Sequence, residues 1–318
     1  MSERPERIFV AGHRGLVGSA IVRRLTESGR HELLLRDRRE LDLRDAAQVD
    51  AFFATERPDV VFLAAAKVGG IVANATYGWD FLYENLLIET GILGAALRAG
   101  TRRVVFLGSS CIYPKLAPQP IREEHLLTGP LEPTNEPYAI AKIAGIKLVE
   151  MANRQHGRQW ISLMPTNLYG PGDNFDLETS HVLPAMLRKF HDAAMARRAG
   201  EPAEVTLWGS GTVRREFLHV DDLARAAVHC MATDMTGLYN VGYGEDTTIR
   251  DLAALVADVV GYDGPVQWDT SRPDGTPRKL LDSRKFMATG WAPRISLRDG
   301  LASTYQWYVD HTRAGAVV

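Results

Sequence analysis

A tyrosine and a lysine stand four residues apart in Tyr138-Ala139-Ile140-Ala141-Lys142, a spacing that places both side chains on one face of a helix. A free phenol titrates near ~10, so acting near pH 7 asks for a shift of ~3 units, or ~4 kcal/mol. One cation at ~4 Å in an effective dielectric of ~20 supplies about that much. Lys142 is therefore expected to lower the pKa of Tyr138. Ser109 and Ser110 close a β-branched run from Arg102, where a hydroxyl can donate to a substrate carbonyl at the carboxyl edge of a parallel sheet. Serine, tyrosine and lysine together form a set that interconverts ketones and alcohols.

Cys111 lies two residues beyond Ser109, and in an extended chain the two side chains would point the same way. A thiol beside a cationic lysine or histidine is partly thiolate and can take a proton. Considered alone, a single cysteine or histidine is more often a buried structural group, and Cys230 in the apolar run Val228-His229-Cys230 keeps that reading.

Between the first β-type run and the first helical run stands Gly12-His13-Arg14-Gly15-Leu16-Val17-Gly18. Glycines there permit a tight turn and bring backbone N–H groups close to a pyrophosphate at the positive end of the helix. NAD-selective sites place an acidic residue about 20 residues on, for the ribose 2′-hydroxyl. Here the chain reads Leu35-Arg36-Asp37-Arg38-Arg39. Guanidinium groups bind a 2′-phosphate bidentately, so Arg38 with Arg14 favours NADPH, with Asp37 as the dissenting residue.

The elements that must position these groups follow from periodicity. Strands are expected at Arg7 to Ala11, His31 to Leu35, Asp59 to Ala65, Arg102 to Ser109 and Trp160 to Met164. Helices are expected at Leu16 to Ser28, Ala46 to Ala54, Phe81 to Arg98 and Pro137 to His156. Alternation of this kind predicts an α/β fold, a doubly wound parallel (Rossmann) sheet. After Pro171 the rhythm changes, with helices at Val182 to Arg198, Asp222 to Met231 and Leu297 to Val309 and a short strand at Glu204 to Trp208. Residues 1–172 are read as a cofactor-binding domain, to which the chain returns around 215–245, and residues 173–318 mainly as a smaller mixed α/β substrate domain.

The 318 residues carry a formal charge of −2, which supplies no field to hold a nucleic acid. No apolar stretch approaches the ~18 residues of a membrane span, and no signal-peptide pattern opens the chain, so a cytoplasmic protein is expected. Two cysteines provide neither a disulfide framework nor metal-ligand spacing.

With Pro165 to Pro171 (Pro-x-Asn-x-Tyr-Gly-Pro) and Arg215 to Asp222 (Arg-Glu-Phe-x-His-Val-Asp-Asp) added in order, the chain resembles the extended, nucleotide-sugar-modifying short-chain dehydrogenase/reductases. Four further segments, Ala64 to Ile71, Gly108 to Pro114, Glu132 to Tyr138 and Pro273 to Lys279, are similar to the GDP-L-fucose synthase branch of that family. The likeness runs over nearly the whole chain. It implies an NADP-dependent oxidoreductase with epimerase activity. Such an enzyme inverts C3 and C5 of GDP-4-keto-6-deoxy-D-mannose and then reduces C4 with NADPH.

The resemblance assigns Ser109, Tyr138 and Lys142 to the reduction, Cys111 to the epimerising base and His181 to its partner acid. It assigns NADP binding to Gly12, His13, Arg14, Gly15, Leu16, Val17, Gly18, Arg38, Leu43, Leu107, Gly108, Ser110, Lys142, Pro165, Thr166, Asn167, Leu168 and His181. The substrate's nucleotide end falls to Lys189, Trp208, Arg215 and Asp274. Lys189 replaces the arginine of the family pattern, so any phosphate contact there is less bidentate. Trp208 could equally be a core residue and Asp274 a turn residue. The family also implies a homodimer joined through helices of the nucleotide domain, for which the apolar face of Phe81 to Arg98 is suited.

Other readings remain open at this level: a nucleotide-sugar 4-epimerase, a 4,6-dehydratase, or a non-catalytic NADP sensor. The family's dehydratases carry an Asp-Glu pair where Ser110-Cys111 stands, and its 4-epimerases an acidic group where Arg38 lies. A sensor would have no need of the intact Tyr138–Lys142 pair.

Overall fold

A computed structural model of the protein describes residues 4–272 and 274–313; Pro273 of the Pro-Asp-Gly segment lies outside the described residues. The first half alternates β1 (Glu6–Ala11), α1 (Leu16–Thr26), β2 (His31–Leu34), α2 (Ala46–Glu56), β3 (Val60–Leu63), α3 (Ile71–Thr76), α4 (Gly78–Ala99), β4 (Arg103–Leu107), α5 (Glu136–His156) and β5 (Ile161–Pro165). There follow β6 (Asn167–Tyr169), α6 (Val182–Arg198), β7 (Val205–Trp208), β8 (Arg214–His219), α7 (Val220–His229) and β9 (Gly237–Val241). The chain ends with β10 (Asp246–Thr248), α8 (Ile249–Val260), β11 (Val266–Asp269), β12 (Arg278–Lys279), α9 (Arg284–Met287) and α10 (Leu297–Arg313).

Six strands form one sheet in the order β2-β1-β3-β4-β5-β9, every pair parallel. β3, β4 and β5 are buried at every residue, as continuous apolar runs must be when helices cover both faces. On one face α2, α4 and α5 bring Phe53, Ile92 and Val149 against Phe106 and Val61. On the other, α1 and α7 bring Ile21 and Leu223 against Val10 and Val105. This is the doubly wound Rossmann arrangement that strand–helix alternation predicts. β9 enters this sheet beside β5 from the chain's second half, pairing Leu163 with Tyr239.

A third cluster joins α6, α8 and α10 to β7 and β8 through Leu187, Phe190, Leu252 and Leu301. Around it stand small sheets that periodicity did not reveal: β8 pairs with β6, β10 and β12, and β11 pairs with β7. The strands are short, and β8 reads Arg-Arg-Glu-Phe-Leu-His because it buries a carboxylate in place of an apolar group. Glu216 is fully buried and accepts hydrogen bonds from the N–H groups of Gly244 and Leu281, at 2.7 and 3.1 Å. It fastens the β8 segment to two distant loops.

Candidate active site

The strand order reverses between β1 and β3, which opens a crevice at their carboxyl ends. Gly12 adopts φ +85°, and a Cβ there would lie 2.8 Å from the Ala65 backbone. A Cβ on Gly18 would lie 2.0 Å from the Gly12 carbonyl oxygen. Only glycine fits either place. The Gly15 N–H donates to that same carbonyl at 3.0 Å, closing the turn formed with His13 and Arg14. α1 then starts at Leu16 and Val17 with no side chain capping it, whereas Asp45 caps α2 through the N–H groups of Ala47 and Gln48. The uncapped α1 terminus presents donors to an anion, which fits a dinucleotide pyrophosphate.

Beyond β2, Asp37 accepts from the N–H groups of Arg39 and Glu40 at 2.8 and 3.2 Å and pairs with Arg14 at 3.0 Å. The two backbone bonds, with smaller help from Arg14 and Arg39, hold its carboxyl below the ordinary range. Arg36 turns back to Glu56 at 2.7 Å. Arg38 is exposed and, among the described residues, in no salt bridge. Leu43 packs against the adjoining core.

The catalytic edge begins at Leu107, the end of β4. Gly108 follows, where a Cβ would meet the Met164 side chain at 2.1 Å. Ser109 is extended, but Ser110, Cys111 and Ile112 form a single 3-10 turn. The extended-chain argument for a shared Ser109–Cys111 face is thus corrected: the Ser109 hydroxyl accepts the Cys111 N–H at 3.4 Å and folds the segment. A partly ionised resting thiol is also corrected. Burial pushes Cys111 above its ordinary pKa, opposed by Lys279, the Ser109 hydroxyl and Lys142.

Tyr138 and Lys142 both lie on α5, with Pro137 in its first turn. The lysine is not the uncompensated cation the sequence suggests. Lys142 Nζ donates to the Leu107 carbonyl at 3.0 Å and pairs with Glu89 of α4 at 3.0 Å, and the two side chains are 2% and 1% exposed. Its ammonium sits 5.8 Å from the Tyr138 ring centre. Instead of being lowered, the Tyr138 phenol is raised well above its usual pKa, chiefly by burial and further by Cys111 and Glu89. Glu89 offsets the charge that was to have acidified it.

After β5, Pro165 leads into a segment held by β8: Thr166 Oγ1 and Asn167 Nδ2 donate to the Glu216 carbonyl at 3.2 and 2.8 Å. Leu168 packs beneath on the core. His181 is the N-cap residue of α6, its ring making no cap bond. The preceding turn is pinned to the loop after β3, since the Gly70 N–H donates to the Thr179 carbonyl at 3.0 Å. His181 is solvent-accessible, yet the protein crowded around it lowers its imidazole pKa.

The four residues assigned to the substrate's nucleotide end gather around the turn after β7. Trp208 is 57% exposed, so it is not core. Lys189 Nζ donates to the Thr206 carbonyl at 2.9 Å and lies 5.8 Å from the Trp208 ring, with Arg272 at 4.9 Å. Asp274 accepts from the N–H and hydroxyl of Ser210 at 2.7 and 2.9 Å, which ties down the turn. Arg215 donates to the Arg214 carbonyl at 2.8 Å, and its partly desolvated guanidinium feels the Asp274 charge.

Sequence reading missed Glu89, Lys279, Glu216 and Arg272. Glu89 did leave a signal, a carboxylate inside the apolar stripe Phe81-Ile88-Ile92 of α4. Lys279 closes the Pro273–Lys279 segment of the family likeness, yet nothing local marks it as a neighbour of the thiol, because only the β8–β12 pairing brings it beside Arg215 and toward Cys111.

The NAD dependent epimerase/dehydratase family model matches residues 8–242. The GDP-L-fucose synthase of Escherichia coli (strain K12) is 57% identical over 316 residues, covering 96% of this chain and 97% of the relative. Among solved structures, a GDP-mannoheptose C4 reductase from Campylobacter jejuni with NADP bound superimposes with a TM-score of 0.89 at 36% identity, covering 97% of this chain and 100% of that one. A GDP-L-fucose synthetase from Naegleria fowleri bound to NADP superimposes with a TM-score of 0.87 at 26% identity, covering 100% and 98%.

Proposed function

The chain belongs to the NAD dependent epimerase/dehydratase family, and we propose that it converts GDP-4-keto-6-deoxy-D-mannose to GDP-L-fucose by 3,5-epimerisation and NADPH-dependent 4-reduction. The observation that carries this reading is the buried Cys111, whose N–H donates to the Ser109 hydroxyl, at the edge where Tyr138 and Lys142 also stand. A candidate base adjoins a candidate ketone-binding group.

C3 and C5 both flank the C4 ketone, so loss of either proton yields an enolate whose negative oxygen is the former ketone oxygen. One oxyanion site serves every step. Ser109 and Tyr138 stabilise that oxygen, Cys111 takes the proton from C3 or C5, and His181 delivers its own proton to the opposite face, both groups exchanging with solvent before the next inversion. A high resting pKa suits Tyr138, which must hold its proton until the C4 oxygen becomes negative.

NADPH, when bound, supplies the hydride that reduces C4. The Gly12–Gly18 turn and the α1 terminus would hold its pyrophosphate, with Leu107, Gly108, Ser110, Lys142 and the Pro165–Leu168 segment lining the nicotinamide half. NADP is favoured because Asp37 spends its oxygens on Arg14 and the Arg39 and Glu40 N–H groups, leaving Arg38 for a 2′-phosphate. Trp208 offers a face for the guanine, Lys189 and Arg215 the charge for the diphosphate, and Asp274 fixes the turn that carries the tryptophan.

Residues 1–172 with the returning 215–245 segment accordingly serve the cofactor, and residues 173–318 mainly the nucleotide sugar. The exposed aromatics Trp79 and Tyr83, stacked on α4, together with Ile140 and Leu148 on α5, support self-association into a homodimer. No helix among the described residues is long and apolar enough to cross a membrane. Incubation with NADPH and GDP-4-keto-6-deoxy-D-mannose, followed by identification of the product sugar, tests the reading. GDP-L-fucose is the expected product, and return of an unepimerised C4 alcohol overturns it.

A further inference from the structure

Glu89 is the one carboxylate beneath the catalytic edge that the mechanism above leaves idle. It occupies the middle of α4, is 1% exposed, and its sole charged partner among the described residues is Lys142 at 3.0 Å. Neither of its oxygens has another hydrogen-bond partner among the described residues. A carboxylate without other support is costly to bury, and burial pushes Glu89 up while Lys142 pulls it back. The fold nevertheless makes room for it. A Cβ on Gly145 would lie 2.7 Å from Glu89 Oε2 and 2.4 Å from the Phe106 ring, so α5 approaches α4 this closely only with glycine there. The Phe106 ring lies 4.9 Å from the Lys142 ammonium, and the Leu107 carbonyl takes another of its protons.

We propose that Glu89 is a positioning residue for the reduction, fixing the Lys142 ammonium at the floor of the site and offsetting its charge so that Tyr138 keeps its proton in the resting enzyme. The proposal rests on the reading of Tyr138 as the proton donor to C4. Each element packed against the pair has a defined charge state to weigh. α5 contributes Lys142 and Tyr138; the turn after β4 contributes Cys111, with Lys279 of β12 behind it. On the far side of α4, Asp50 of α2 is taken by Arg98, and Arg44 and Lys67 take Glu84. Among the described residues the Lys142 charge has no second counter-ion. Without Glu89 it acts undiminished on the phenol.

Reduction by a phenol acid falls away as pH rises through that phenol's pKa. Glu89→Gln should therefore move the alkaline limb of the reduction rate to lower pH by about one unit or more. Glu89→Asp, which keeps the charge, should restore the limb. A merely structural role would lower the rate of both variants without displacing the limb. An alkaline limb in folded Glu89→Gln superimposable on that of the wild type overturns the proposal. If Glu89→Gln does not fold, an ultraviolet difference titration of the wild type against Tyr138→Phe decides. A phenol still protonated at about pH 8 supports the proposal, and one already ionised there overturns it. Wild-type protein that consumes no NADPH with the ketosugar would instead refute the functional reading itself, and that control is run first.

Discussion

Arg14 Nη2 lies 3.0 Å from Asp37 Oδ2, so a cation from the glycine-rich loop engages the acidic residue that follows β2. The same carboxylate caps its own turn through the N–H groups of Arg39 and Glu40. An acidic residue in this neighbourhood ordinarily suggests a ribose 2′-hydroxyl. Here its acceptor capacity is spent within the protein, and the neighbouring guanidinium of Arg38 faces outward.

Arg38→Glu should consequently weaken NADPH binding by about tenfold to a hundredfold, equivalent to one or two charge-assisted contacts, while NADH changes little. Binding titrations with both cofactors measure the difference. Equal losses for the two would remove Arg38 from the 2′-phosphate site.

Epimerisation should speed up with pH. Burial holds the Cys111 thiol above its ordinary range, so the protonated form dominates at neutral pH and the thiolate grows about tenfold per unit below that pKa. Solvent-deuterium incorporation at C3 and C5 should rise accordingly. Cys111→Ser should abolish it with NADPH still bound. Lys279→Met, which removes a cation acting on the thiol, should slow exchange at a fixed pH, and an unchanged rate would exclude Lys279 from activating the base.

Tyr138→Phe should cut turnover by about 10²–10⁴-fold, the usual contribution of a positioned general acid. Cofactor affinity should change little, because the charges that act on the phenol belong to the protein's own Cys111 and Glu89. Rapid-mixing measurements of NADPH oxidation check this, and an undiminished rate would refute the proton-donor role.

Asp173 offers a stability test separate from catalysis. The residue is 9% exposed, with Oδ1 accepting the Asn174 N–H at 2.8 Å and Oδ2 without a hydrogen-bond partner among the described residues. Burial raises its pKa to about 7 from 3.8. The folded state therefore holds a proton that the unfolded chain releases, and stability is lost as pH rises from about 4 through about 7. Asp173→Asn should flatten that fall and stabilise the protein at pH 8 by up to about 4 kcal/mol, at ~1.4 kcal/mol per pKa unit. Thermal melts of both proteins at pH 5 and pH 8 would show it, and parallel melting shifts would contradict it.

The strands and helices of the sheet were readable because burial on both faces leaves continuous apolar runs such as Val60–Leu63, and amphipathic periods between them. Helix ends were less so. α4 begins at Gly78, a turn before the apolar period shows it, with Asp80 in its first turn where a negative charge favours the helix. The short strands β6, β8, β10 and β12 were missed because their cohesion comes from buried polar bonds to Glu216 and from ion pairs to Asp246. Such links join residues far apart in the chain and leave no period.

The sequence by itself determined which residues carry the chemistry: the glycine turn, the Ser109–Cys111 segment and the Tyr138–Lys142 spacing are local, and their chemical types are fixed by the order of residues. What only the tertiary structure decided is their electrostatic state. The bend after Ser109 arises from a hydroxyl that accepts the Cys111 N–H, and the resting protonation of Cys111 and Tyr138 from burial at the junction of β4, α4 and α5. Lys142 looked like a lone cation because its counter-ion, Glu89, comes from another helix. A pKa depends on every charge and every layer of protein within a few ångströms, and the chain assembles those neighbours only when it folds.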